Sequence, residues 1–165
     1  FHHHEVVGAR LAKARMKALR FNNETIEAVE SLVALHLRFH GYGDGEWTDS
    51  AVRRYVRDAG ELLEHLHVLT RADCTTRNAK KAARLANTYD GLEERIAKLA
   101  QEEELSKIRP DLDGAQVMSL LNLKPSADVG KALDFLMELR MERGPLGEAV
   151  ATEELLQWWK ARRHP

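Results

Sequence analysis

The sequence has one cysteine, no long apolar run and no leader-like segment. Each of these features excludes some classes of protein. Lone Cys74 excludes an internal disulfide and fits a reducing, cytoplasmic setting. No apolar stretch approaches the roughly 18 residues of a membrane-spanning helix, and no signal peptide precedes the first predicted helix. We therefore expect a cytoplasmic globular protein that does not bind membranes.

Strand signals are also missing, and helix breakers are few. No segment alternates apolar and polar residues, which is the pattern of a half-buried strand. The four prolines stand at positions 110, 125, 145 and 165, so the first 109 residues contain none. The sequence therefore predicts an all-α fold, with a helical bundle followed by a small C-terminal helical module. Because Arg109-Pro110-Asp111 interrupts the pattern, we predict domains at 1–108 and 109–165.

Periodicity and capping residues predict the positions of the helices. Asn22-Asn23 supplies an N-cap for the second helix, and Thr48, Asp49 or Ser50 supplies one for the third. The predicted ranges are about 5–20, 24–40, 49–59, 61–72, 76–108, 114–121, 129–143 and 152–162. Trp158-Trp159 lies on the last helix and is expected to pack against the C-terminal module.

The formal net charge of −1 hides two blocks of opposite sign. Residues 71–84 contain five basic side chains and one acid, net +4, whereas residues 90–104 contain six acids and two bases, net −4. The first block suits contact with phosphate; solvated helix faces carry such blocks as well. Cationic rows favour sequence-independent contact with a phosphate backbone. The candidate RNA-binding residues are Arg53, Arg54, Arg57, Arg71, Arg77, Lys80, Lys81 and Arg84.

Tyr42 and Trp47 flank a glycine-rich connection and are candidates for stacking on an exposed base, with core packing as the alternative. No serine or cysteine lies in a pattern typical of a catalytic nucleophile. We therefore predict no catalytic residue in the chain.

Three apolar helix faces continue into side chains that bind metals. The spacing in the second predicted helix leads to His36 and His40, that in the fourth leads to Asp73, and His4 begins a face of the first. An unpartnered buried polar group costs on the order of 1–3 kcal/mol. A divalent metal held by His4, His36 and Asp73 would satisfy all three. Separate hydrogen-bonded core residues are the alternative, because no pair has the spacing of a His-Glu-x-x-His zinc site.

Residues 1–9 place three histidines directly before helical sequence. A metal site there would need ligands from further upstream, so we expect the chain to be a piece of a larger protein. The alternative is that the histidines remain from a purification tag.

Several uncommon segments occur in an order found in a known family. The chain resembles, over essentially its whole length, the C-terminal part of actinobacterial CCA tRNA nucleotidyltransferases, which belong to the tRNA nucleotidyltransferase/poly(A) polymerase family. Residues 113–133 resemble that family's C-terminal helical module. The other segments that carry the resemblance are FHHHEVVGA (1–9), LHLRFHGYG (35–43), WTDSAVRRY (47–55) and RADCTTRN (71–78).

The resemblance implies a tRNA-binding fragment. In that family a head domain, with Mg²⁺, transfers CMP and AMP from CTP and ATP to the tRNA 3′ end, and a neck domain selects the nucleotide. Neither domain is expected in this chain, so CTP and ATP would be partners only of the absent domains. The expected partner here is tRNA, with no DNA.

The family also has a region of the HD phosphohydrolase type. The resemblance places His4, His36 and Asp73 where ligands of that type are expected, but the His-Asp doublet is missing from the sequence. Any divalent metal site here would therefore be incomplete. A second departure is Lys124-Pro125-Ser126-Ala127, where relatives often have a Pro-Gly-Pro turn.

Two other functions remain open from the sequence. One is a metal-dependent HD-type phosphohydrolase acting on phosphomonoesters or cyclic phosphodiesters, with metal-activated water. The other is a structural helical scaffold in which the histidines are core residues.

Overall fold

A computed structural model describes residues 4–39, 47–73, 76–104 and 108–163. The described chain is helical with no strand, which confirms the predicted all-α class. No helix within these ranges is long and apolar enough to cross a membrane. The α-helices are α1 (His4–Ala18), α2 (Asn23–Leu35), α3 (Asp49–Ala59), α4 (Leu63–Ala72), α5 (Ala79–Glu102), α6 (Gly114–Leu121), α7 (Ala127–Arg143) and α8 (Glu148–Arg163).

The chain forms two compact units, Phe1–Lys98 and Leu99–Pro165, and their boundary falls within α5. The domain division at residues 108 and 109 stays a prediction. His40, Tyr42 and Cys74 lie outside the described residues, so predictions that fall on them are not addressed by the structure.

In the first unit, α1 and α2 form a helical hairpin. In the connection after α1, Arg20 has a left-handed φ of 60°. The Asn22 side chain accepts a 2.7 Å hydrogen bond from the Thr25 amide, so Asn22 caps α2 as predicted. The two helices approach closely where Gly8 faces Val33, because a Cβ at Gly8 would lie 3.3 Å from Val33 Cγ1. Helix α2 ends at Leu35, earlier than the sequence predicts.

Helices α3, α4 and α5 supply most of the first unit's remaining core. Thr48 caps α3 by accepting from the Ala51 amide, and one face of that helix is buried. Val52, Tyr55, Leu66, Tyr89 and Leu92 are each at most 5% exposed. Their burial removes apolar surface from water, at about 25 cal/mol per Å².

The second unit has its own apolar core between α6, α7 and α8. Asp113 and Gln116 form a reciprocal capping box at the start of α6. Trp158 and Trp159 pack against this core, which confirms their predicted role. The buried residues are Leu112, Val117, Leu121, Val129, Ala132, Leu136, Ala151 and Leu155.

Candidate nucleic-acid interface

Four exposed cations cluster around the first turns of α5. Arg77 precedes the helix, and Lys80, Lys81 and Arg84 follow at helical spacings of three and four that place them towards one side. We call these four residues the basic start of α5. All four are exposed, so the structure places them where a solvent-side phosphate can reach them.

The start of α5 is fixed by Asn78. Its side-chain oxygen accepts from the Lys81 amide at 3.1 Å, and its carbonyl accepts from the Ala82 amide at 2.9 Å. This explains why the helix begins later than the predicted Thr75-Thr76: Asn78 is a stronger cap at that point.

The electrostatics of this helix start favour anions. The first turn contains no acidic residue, although acidic side chains normally stabilise the positive end of a helix. Lys80 and Lys81 there add cations to exposed amides of the same sign. Such an arrangement disfavours the isolated helix and favours a bound phosphate group.

The three arginines of α3 differ in how far they are exposed to solvent. Arg57 is exposed and Arg54 is half-buried, but Arg53 is only 5% exposed and lies among the buried residues of the unit. A phosphate backbone contacts exposed side chains. Because Arg53 is the one buried residue among the eight predicted RNA-binding residues, it is the least available for such a contact.

Arg71 is held by two carboxylates of α5. Its Nη2 donates to Asp90 Oδ1 at 2.7 Å, and its Nε donates to Glu93 Oε1 at 3.1 Å. Its guanidinium carbon lies 5.4 Å from the centroid of the Tyr89 ring. The two carboxylates raise the pKa of Arg71 through these hydrogen bonds. From the sequence, Arg71 was predicted to bind phosphate, and these two partners were not predicted, although Asp90 and Glu93 show the three-residue spacing of one helix face.

An aromatic cluster includes one ring from α3 and one from α5. Phe39 stacks on Tyr89 with ring centroids 4.0 Å apart, and Trp47 contacts Tyr55 edge to face at 5.5 Å. Trp47 is half-buried and its ring contacts Phe39 and Tyr55, which favours the packing role over base stacking. Burial raises the pKa of Tyr55 to about 12.

His67 lies against this cluster, stacked on Tyr55 with parallel rings 5.9 Å apart. Its Nε2 is buried without a hydrogen-bond partner in the described part of the chain, and its Nδ1 lies 3.7 Å from Glu93. Burial lowers the pKa of His67 below 6.5, because desolvation penalises the imidazolium more than the Glu93 carboxylate favours it. The position of His67 on α4 carries no motif, so the sequence alone does not indicate a role for it.

The predicted metal ligands are only partly brought together. The rings of His4 and His36 lie edge to face with centroids 5.9 Å apart, and His36 Nδ1 lies 2.6 Å from the Val33 carbonyl oxygen. Asp73 is exposed at the end of α4. Among the residues that the structure describes, no three His, Cys, Asp or Glu side chains form a group that could hold a metal ion. The metal assignment stays a prediction.

The chain matches no protein-family model and no solved structure. It is 33% identical to a CC-adding tRNA nucleotidyltransferase of Thermus thermophilus, in a match that covers 97% of the chain and 34% of that protein. It is 30% identical to an A-adding tRNA nucleotidyltransferase of Deinococcus radiodurans, covering 96% of the chain and 35% of that protein. The chain therefore spans about a third of the length of these curated relatives, and its similarity to both supports a relationship with the tRNA nucleotidyltransferases.

Proposed function

We propose that the chain is the tRNA-binding helical part of a CCA-adding tRNA nucleotidyltransferase. The observation that carries this proposal is the similarity of nearly the whole chain to two tRNA nucleotidyltransferases. In this proposal the chain holds the acceptor and elbow region of tRNA, and it directs the 3′ end to a catalytic head that is not in this sequence. The parent enzyme is cytoplasmic and belongs to the tRNA nucleotidyltransferase/poly(A) polymerase family.

The reaction of the parent is part of the same proposal. CMP and AMP are transferred from CTP and ATP to the tRNA 3′ hydroxyl, with Mg²⁺ in the head domain. One relative is named for adding CC and the other for adding A, so the full CCA specificity rests on the resemblance seen in the sequence. The fragment by itself is not expected to polymerise nucleotides.

The basic start of α5 is the part of the chain best suited to bind the tRNA backbone. Its four cations are exposed, and Lys80 and Lys81 lie in the first turn of the helix, which contains no acidic residue. Cations on phosphate release condensed counterions, so this contact gives affinity without reading sequence. By contrast, Arg53 is buried, and Arg71 is already paired with Asp90 and Glu93.

The proposal is tested by measuring tRNA binding to the 165-residue chain by fluorescence anisotropy at several salt concentrations. The logarithm of the binding constant should fall linearly with the logarithm of salt, with a slope of about −0.7 to −0.9 per phosphate contacted. The triple variant Lys80→Glu, Lys81→Glu, Arg84→Glu should bind at least about tenfold more weakly and lose about two to three units of that slope.

A charge-matched control separates local contact from overall charge. Arg10→Glu, Lys17→Glu, Lys124→Glu changes the net charge by the same amount at exposed positions outside the basic start of α5. This control should retain most of the affinity. Absent or salt-insensitive tRNA binding, or an equal loss in both triple variants, would contradict the proposal.

A further inference from the structure

A groove between α2 and α4 exposes apolar side chains of both helices. Its volume is about 550 Å³, and six of the eight described residues that line it are apolar. Four of these six are half-buried and two are exposed, so none of them is covered as a core residue is. The lining residues are Val29, Leu32, Val33, Glu64, His65, Val68, Leu69 and Ala72.

Both helices present more apolar surface than their neighbours in the first unit cover. Helix α2, which is described in full, contains seven apolar residues, and only Ile26 of these is buried. On α4, Val68 is 70% exposed, more than any other large apolar side chain that the structure describes. Single exposed apolar residues are ordinary, but apolar residues that line one concave surface are typical of a binding site.

The lining disfavours nucleic acid and small polar molecules as occupants. No lysine or arginine is among the described residues of the groove, and Glu64 adds a negative charge that repels phosphate. Small-molecule sites contain several polar groups that fix the orientation of the ligand, whereas only Glu64 and His65 are polar here. The lining therefore fits the apolar face of a polypeptide segment.

The shape of the groove favours a helix as that segment. Both walls are helices, and the side-chain ridges of a third helix pack into a groove of this kind. Apolar residues spaced three and four apart enter such a groove together from one helix face. The occupant that fits is an amphipathic helix whose apolar face contacts Leu32, Val33 and Val68.

The start of α1 lies beside this groove. Val33, which lines the groove, is the residue that Gly8 of α1 approaches, and the ring centroids of His4 and His36 are 5.9 Å apart. Gly8 is four residues after His4, which is a rise of about 6 Å along a helix. The chain spans about a third of the length of its curated relatives, so the proposed parent enzyme has further polypeptide that can reach the groove from this side.

We infer that the groove between α2 and α4 binds an amphipathic helix from the part of the parent polypeptide that precedes α1. The inference rests on the proposed function, because it takes the occupant from the parent enzyme. It adds a packing contact that attaches the tRNA-binding helices to the rest of that enzyme.

Thiol labelling tests whether the groove is covered. Val68→Cys is introduced into the 165-residue chain and into the full-length parent polypeptide, and maleimide incorporation at position 68 is followed by mass spectrometry. In the 165-residue chain the thiol should react at the rate of an exposed cysteine. In the full-length polypeptide it should react at least about tenfold more slowly, because the maleimide reaches it only when the docked helix opens. Equal rates in the two proteins would overturn the inference.

Leu11→Cys is the matched control. Leu11 is an apolar residue of the same unit, is 65% exposed and does not line the groove. Its labelling rate should differ by less than about threefold between the two proteins, because the inference places no helix over it. A slowing equal to that at position 68 would contradict a contact specific to the groove.

A charge placed in the groove gives a second readout. Val68→Glu should lower the thermal unfolding midpoint of the full-length polypeptide by at least about 4 °C, because docking buries an unpaired carboxylate. In the 165-residue chain, where this position is exposed, the midpoint should change by less than about 2 °C. Similar shifts in both proteins would contradict the inference. A dimer of the full-length polypeptide that Val68→Glu dissociates would overturn it in favour of a second copy.

Transfer RNA binding separates this inference from the proposed function. The groove lacks lysine and arginine among its described lining residues, so Val68→Glu should change the tRNA affinity of the 165-residue chain by less than about threefold. Salt-dependent tRNA binding together with an unshielded position 68 in the full-length polypeptide would sink the inference and leave the proposed function standing. A shielded position 68 without tRNA binding would do the reverse.

Discussion

The guanidinium of Arg71 joins α4 to α5 by donating to Asp90 Oδ1 at 2.7 Å while it lies over the Tyr89 ring. Asp90 is one helical turn from Glu93, whose Oε1 lies 2.9 Å from the same Nη2 atom. The acidic block that follows the basic one thus supplies partners for one of its cations. Arg71 therefore has a structural role, because it links α4 to α5 within the first unit.

We expect Arg71→Ala to destabilise the first unit by about 1–2 kcal/mol, because it removes two charge-assisted hydrogen bonds that are partly exposed to solvent. Arg57→Ala, at an exposed position of α3, should change the free energy of unfolding by less than about 0.5 kcal/mol. Urea denaturation measures both. Arg71→Ala should also reduce tRNA affinity less than Lys80→Ala does; a larger loss would return Arg71 to the RNA-binding surface.

The buried imidazole of His67 predicts a pH-dependent stability. Its pKa is lowered in the folded protein, so between that value and about 6.5 the unfolded chain binds more protons. The free energy of unfolding should therefore rise with pH across this window. The contribution of His67 is fully present above pH 6.5 and is lost as the pH falls through the lowered value.

Urea denaturation at pH 5, 6, 7 and 8 tests this behaviour. His67→Gln removes the titrating group and should flatten the rise of stability with pH. His65→Gln is the control, because His65 is exposed on the same helix. An identical pH profile for the parent chain and His67→Gln would show that other groups cause the dependence.

The core of the second unit predicts a large effect at Leu155, which is fully buried on α8. Leu155→Ala should cost about 2–5 kcal/mol, because it removes apolar contacts and leaves a cavity. Val150→Ala, on the same helix but 40% exposed, should cost less than about 1 kcal/mol. Thermal unfolding followed by tryptophan fluorescence reports on this core through Trp158 and Trp159. Equal effects of the two variants would contradict the packing.

The incomplete set of metal ligands predicts weak metal binding. After incubation with Mn²⁺ and dialysis, elemental analysis of the 165-residue chain should find clearly less than one ion per chain. The reason is that the sequence lacks a His-Asp doublet, and that no three-ligand group exists in the described ranges. Stoichiometric Mn²⁺ that disappears in Asp73→Ala would instead establish the centre formed with His4 and His36.

Much of the fold could be predicted because helices are specified locally. The apolar periodicity places the helices, and the caps at Asn22 and Thr48 lie at predicted positions. The ends were less predictable. Helix α5 ends at Glu102 rather than 108, and α8 begins at Glu148 rather than Thr152. A helix end depends on a few side-chain and backbone hydrogen bonds, which periodicity does not encode.

The candidate site was predictable only in outline. The sequence shows cations in helical register at Lys80, Lys81 and Arg84, because neighbours on one helix are set by 3.6 residues per turn. It does not show that Arg71 meets Asp90 and Glu93, since those contacts join different helices. Exposure of Arg53 was equally undetermined, because the face of α3 that is buried depends on what packs against it.

The sequence by itself determined the helical class, most helix starts and the charge blocks, since each depends on residues a few positions apart. Only the tertiary structure decided which charged side chains form ion pairs or are buried within the fold and which remain exposed on the surface. It pairs Arg71 with α5, leaves the basic start of α5 exposed, and buries Arg140, whose Nη1 has no hydrogen-bond partner among the described residues. The physical reason is that pairing and burial depend on distances between helices, which the spacing of residues along one helix does not specify.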